Sequence, residues 1–109
     1  MKKIIGIGIL VSMLLVTAVS AEAVTARIIN NTGYTIYYLY VSRSDSGDWG
    51  PDRLGSSVLN SGEDFRVDVQ PGLYDIRLVD SDGDSYTLMN RGRSDGQNWY
   101  IEFNMSHID

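Results

Sequence analysis

The stretch EDFRVDVQPGLYDIRLVD, residues 63–80, constrains this chain more than any other. Hydrophobic side chains recur at every second position: Phe65, Val67 and Val69, then Tyr74, Ile76 and Leu78. A period of two belongs to strands with one dry and one wet face, not to helices. Pro71-Gly72 separates the two runs, with proline presetting φ and glycine accepting a positive φ. The reading is an antiparallel hairpin of 63–69 and 73–79. Asp64, Arg66 and Asp68, and then Asp75, Arg77 and Val79, face outward in it, and the charges are expected to pair across the strands.

The same period marks TARIIN (25–30), TIYYLYVS (35–42), SYTLMN (85–90) and NWYIEFNMS (98–106). In the second of these, Ile36, Tyr38 and Tyr40 are expected on one face and Tyr37, Leu39 and Val41 on the other. In the last, Trp99, Ile101, Phe103 and Met105 point inward. No helix is expected among these segments. Residues 43–62, rich in Gly, Ser and Asp, form a long connection, either a crossover between sheets or a functional loop. Trp49, Leu54 and Leu59 are expected to fold it onto the rim of the core. Strands joined largely by short turns predict an all-β fold, a small antiparallel β-sandwich of six to seven strands, with a barrel as the alternative.

The first residues read differently. Lys2 and Lys3 precede an apolar run, IIGIGILVSMLLVTAV, and then small residues. This is the pattern of a secretory signal peptide over 1–21, cleaved after 21 or 23. A single domain over 24–109 would follow, in the periplasm or at the cell surface, with no membrane span kept after cleavage. Cysteine is absent, which excludes disulfides and thiolate chemistry. Both lysines lie in the signal, leaving seven arginines against fourteen acids. Such a surface does not favour nucleic acid.

The run from Trp49-Gly50 through Leu54-Gly55, Leu59, Gly62 and Pro71-Gly72 to Tyr74-Asp75-Ile76-Arg77 and Asp80 lies within residues 30–87. It resembles a family of small bacterial secreted domains with no established activity. The resemblance implies an immunoglobulin-like sandwich and no enzyme.

Catalytic residues are scarce. The one histidine, His107, sits in the C-terminal SHID and is expected to be a solvated tail residue. A hydrolase is the weakest of the three functional readings. Calcium is the one cofactor the sequence admits. Asp80, Asp82 and Asp84 match positions 1, 3 and 5 of a helix–loop–helix calcium loop. Position 6 is Ser85 rather than glycine, and position 12 is Arg91 rather than glutamate, so that motif is rejected. A looser site would need a second acidic loop, from Asp45, Asp48 and Asp52 or from Asp95. The plain alternative is an Asp-Gly turn whose carboxylates accept bonds from their own backbone, with Arg77, Arg91 or Arg93 neutralising the cluster.

The seven tyrosines and two tryptophans are the other feature. Tyr38, Tyr40 and Trp49 are the candidate surface for a protein or glycan, since exposed tyrosine offers rigid area with a polar tip. The sequence therefore reads first as a secreted, non-enzymatic binding or accessory module, and second as a calcium-binding one.

Overall fold

A computed structural model describes residues 23–93 and 98–109. The expected signal peptide, Asp95 and the side chain of Arg93 lie outside what it describes. Six strands are present: β1 (Val24–Asn31), β2 (Ile36–Arg43), β3 (Asp64–Val69), β4 (Gly72–Asp80), β5 (Ser85–Arg93) and β6 (Trp99–Asn104). They form two three-stranded sheets, ordered β3-β1-β6 and β2-β4-β5. The inner faces meet in one core. Val24, Ala26, Ile28, Trp99, Ile101 and Phe103 come from the first sheet, and Ile36, Leu39, Val41, Tyr74, Ile76, Leu78, Tyr86 and Leu88 from the second. Among the described residues no helix is long and apolar enough to cross a membrane.

Strand positions follow the alternation, but the pairing departs from it. β3 and β4 are not a hairpin: β3 pairs with β1, and β4 with β2 and β5. Gln70-Pro71 carries the chain from one sheet to the other. Alternation tells each strand which face is dry, and a crossover buries both dry faces as well as a hairpin does. The expected cross-strand charge pairs also change partners. Arg27 Nε donates to Asp64 Oδ2 at 2.7 Å, and Thr25 Oγ1 to Asp68 Oδ1 at 2.7 Å, across β1 and β3. The sandwich is not wholly antiparallel either, because β1 and β6 run parallel, Ala26 beside Trp99.

Two irregularities re-aim side chains. The β2–β4 register shifts between Ile36 and Tyr38. This bulge leaves Tyr37 and Tyr38 both exposed and puts Ile36 on the same dry face as Leu39 and Val41, which corrects the simple alternation. In β5, the register shifts opposite Asp75, and Asn90 takes φ +57°. Asparagine tolerates this left-handed geometry. Its N–H then donates to Asp75 Oδ1 at 2.9 Å. Beyond the bulge β4 and β5 approach closely: a Cβ on Gly92 would lie 2.0 Å from the Gly72 carbonyl oxygen, so only glycine fits.

The C-terminal residues are packed rather than frayed. Met105–His107 form a 3₁₀ turn. Met105, expected inward, is exposed there. His107 stacks edge-on against Phe103, centroids 5.9 Å apart, and its Nδ1 accepts the Asn104 N–H at 3.1 Å. Ile108 then bridges to Tyr86, and the Asp109 N–H donates to the Ser85 carbonyl.

Candidate functional site

The aspartate turn lies between β4 and β5. Asp80 is the last residue of β4, and its side chain is buried. Its Oδ1 accepts the N–H groups of Asp82 (2.9 Å) and Asp84 (3.0 Å). Its Oδ2 accepts the hydroxyl of buried Tyr86 at 2.8 Å. The carboxylate thus holds the turn from inside, as short aspartate side chains do when they bond their own backbone. Gly83 completes the turn with φ +87°, a conformation that costs glycine little. Burial, and then the hydrogen bond to the Asp80 carboxylate, push the Tyr86 hydroxyl up to about 12.

Asp82 and Asp84 point to solvent. One oxygen from each of Asp80, Asp82 and Asp84 lies within 4.8 Å of the others, so the three carboxylates converge rather than splay. Asp48 does not join them. It lines a small concavity of about 170 Å³ with Ser42, Trp49, Asp75 and Met89. Ser42 pairs with Asp75, whereas Ile36 pairs with Asp80. Six residues of strand separate the two ends, roughly 20 Å. Asp52 is also used locally, its Oδ1 accepting the N–H groups of Leu39 and Leu54. Asp45 sits 3.5 Å from Arg43. The expected second acidic loop therefore supplies no further oxygen to the triad among the described residues. Arg77 does not neutralise the turn, since it lies elsewhere on the sheet.

That elsewhere is the outer face of β2-β4-β5. Tyr40 pairs with Arg77, and Arg77 with Thr87. The loop after β2 lays Trp49 over this row rather than on the core rim. The Arg77 guanidinium carbon is 4.6 Å from the Trp49 ring centroid, and the Tyr40 ring is 6.5 Å away at a tilt of 51°. Arg77 Nε donates to Thr87 Oγ1 at 3.0 Å, and Thr87 donates to Asp109 Oδ2 at 2.6 Å. Tyr38 stands at 47% exposure one row along. Tyr38, Tyr40 and Trp49 thus come together, with Arg77 as the member the sequence did not mark. Its signal was only its outward phase on β4.

The same loop closes the free edge of β2. Leu54 and Leu59 are buried, as expected. Leu59 exchanges backbone bonds with Ile36, the Arg53 N–H donates to the Leu39 carbonyl at 2.7 Å, and Arg53 Nη2 reaches the Val41 carbonyl. Trp49 is therefore held on a braced loop. A further groove, about 240 Å³, runs beside β5 and β6, lined by Leu88, Arg91, Trp99, Tyr100, Glu102 and His107. His107 reaches this groove with its Nδ1 already accepting the Asn104 N–H.

No family model matches the chain, and no curated protein sequence does. Among solved structures it is similar to the NMR structure of a protein from Eubacterium rectale. The likeness has a TM-score of 0.56 at 18% identity and covers 80% of this chain and 84% of the other. At that identity it bears on the fold alone: the two chains share an all-β architecture over most of their lengths.

Proposed function

We propose that this chain is a secreted, non-enzymatic binding or accessory module, and that its ligand face is the outer surface of β2-β4-β5. One observation carries the reading. Trp49 is held by a braced loop against Arg77 and Tyr40, with Tyr38 exposed beside them. Aromatic rings fixed before binding lose little entropy when a ligand lands on them. A protein or a glycan is the ligand class such a face suits. The non-enzymatic reading is supported by the family resemblance in the Trp49–Asp80 run. Secretion is supported by the basic and apolar leader of the sequence. An immunoglobulin-like assignment accords with two facing sheets whose neighbouring strands are mostly not consecutive in sequence.

The test is titration of isotope-labelled protein with a panel of oligosaccharides and surface proteins. Binding should move the Trp49 indole and the Tyr38, Tyr40 and Arg77 amide resonances first, and Trp49→Ala should abolish it. Ligands that perturb only the β1-β3-β6 face would overturn the assignment.

The aspartate turn supports a second reading, calcium binding, on the convergence of its carboxylates within 4.8 Å. Asp80 already spends both oxygens on internal donors, so water would have to complete a shell of six to eight oxygens. A melting temperature raised by millimolar calcium, and not in an Asp82→Asn/Asp84→Asn variant, is what this reading requires.

A further inference from the structure

The four outer edges of the two sheets are treated unequally. The edge of β2 is covered by Asp52, Arg53 and Leu59. The start of the β5 edge, at Ser85 and Tyr86, is covered by Ile108 and Asp109. At the end of β6, the Asn104 N–H is taken by His107. Among the described residues, nothing hydrogen-bonds to the outer edge of β3, whose sole strand partner is β1.

The core is unfinished on the same side. Phe65, Val67 and Val69 are only partly buried, while the matching residues of β1 and β6 are fully covered. Beside them opens a groove of about 580 Å³ lined by Leu54, Val58, Leu59 and Phe65, with Val58 at 43% exposure. An open strand edge next to apolar surface is a template for another strand.

The phase of the β1–β3 ladder shows which groups are free. The Asn30 N–H donates to the Glu63 carbonyl at 2.9 Å. Antiparallel bonding alternates, so Phe65, Val67 and Val69 also bond toward β1. The backbone groups of Asp64, Arg66 and Asp68 therefore point away from it.

We propose that β3 pairs antiparallel with β3 of a second copy of this chain, about a two-fold axis at Val67. In that register Arg66 faces Asp68 of the second copy on both sides of the axis, Phe65 faces Val69, and Val67 faces Val67. The facing Arg66 and Asp68 are the residues whose backbone N–H and C=O are free, so each such pair exchanges two ladder bonds as well as opposing charges. A shift by one residue would put the apolar side chains on the wet face. A shift of two residues keeps the apolar side chains together but sets Arg66 against Arg66, or Asp68 against Asp68. Parallel pairing in register would stack like charges. The interface is isologous and closes as a dimer. It lies on the other sheet from Trp49 and does not depend on the ligand face.

Light scattering of the purified protein after size exclusion, across micromolar to near-millimolar concentration, tests this. A mass rising to twice that of the monomer is expected. Arg66→Pro removes an N–H that β1 does not use, so the monomer keeps its fold and the dimer is lost. Arg66→Asp sets like charges face to face and should weaken the dimer about tenfold or more. The swap Arg66→Asp/Asp68→Arg restores opposite charges in this register and should recover it. Should Arg66→Pro fail to fold, the charge swap alone decides. A protein that stays monomeric throughout, or a dimer indifferent to Arg66→Asp and to the swap, overturns the proposal.

Discussion

Two loops of this molecule invite opposite first impressions. The turn at residues 81–84 carries the spacing of a metal site, and the loop at 44–63 carries none. In the folded chain the turn serves the fold. Asp80 is consumed by two backbone donors and a buried tyrosine. The loop, by contrast, shapes the surface: it seals a strand edge and delivers Trp49 to Arg77. Charge spacing alone does not separate a ligand shell from a hydrogen-bonded turn. What separates them is whether the carboxylate oxygens already have donors.

The sharpest way to break this contrast is Asp80→Ala. It leaves the Tyr86 hydroxyl and two N–H groups without their acceptor. Unfolding in urea should show a loss of about 3 kcal/mol. A loss below about 1 kcal/mol would mean that the turn holds without its carboxylate.

Alkaline pH tests the same contact. The folded Tyr86 hydroxyl lies at about 12, above its unfolded value near 10. Its contribution is therefore fully present below pH 10 and is lost as pH rises through 12. Melting temperature should fall steeply across that window, and less steeply in Tyr86→Phe.

Trp49→Ala should cost only about 1 kcal/mol, the scale of an exposed cation–π contact with some packing. Its effect on binding should be far larger. Equal loss of stability and binding would make Trp49 a structural anchor alone.

The smallest effects belong to the exposed carboxylates. Asp82→Asn and Asp84→Asn should each shift stability by less than about 0.5 kcal/mol without calcium. If the turn is only hydrogen-bonded, melting curves with and without millimolar calcium should coincide within about 1 °C. A rise of several degrees would place the turn with the ligand sites and dissolve the contrast.

Much of this could be read in the sequence, and the limits have physical causes. Alternation located all six strands, with β5 three residues short and β6 carried past its end into Met105, because a half-buried strand must alternate. It did not choose partners. EDFRVDV and LYDIRLV each need a covered face, and Pro71-Gly72 suits a change of sheet as well as a hairpin. The bulge at Tyr37 escaped because both tyrosines tolerate exposure, so nothing in IYYL marks the extra residue. Tyr38, Tyr40 and Trp49 were recognisable as aromatic, but their meeting depends on where the loop lands. Asn30 was read only as the end of a strand. It is wholly buried, and its amide binds the Tyr34 and Leu59 carbonyls while its Oδ1 accepts from Thr32. With the Gly33 N–H donating to Ser61 Oγ, this short stretch tethers two loops.

The parallel union of β1 with β6 also sets a timetable. Ala26 meets Trp99, and Asn31 meets Asn104, so the first strand is completed on one side by the last. No nascent segment that stops short of Trp99 contains both halves of that ladder. The first sheet must wait for nearly the whole chain. Contacts this distant in sequence place folding in the slow range for small domains, milliseconds to seconds rather than microseconds. During that interval the early strands remain without their final partner.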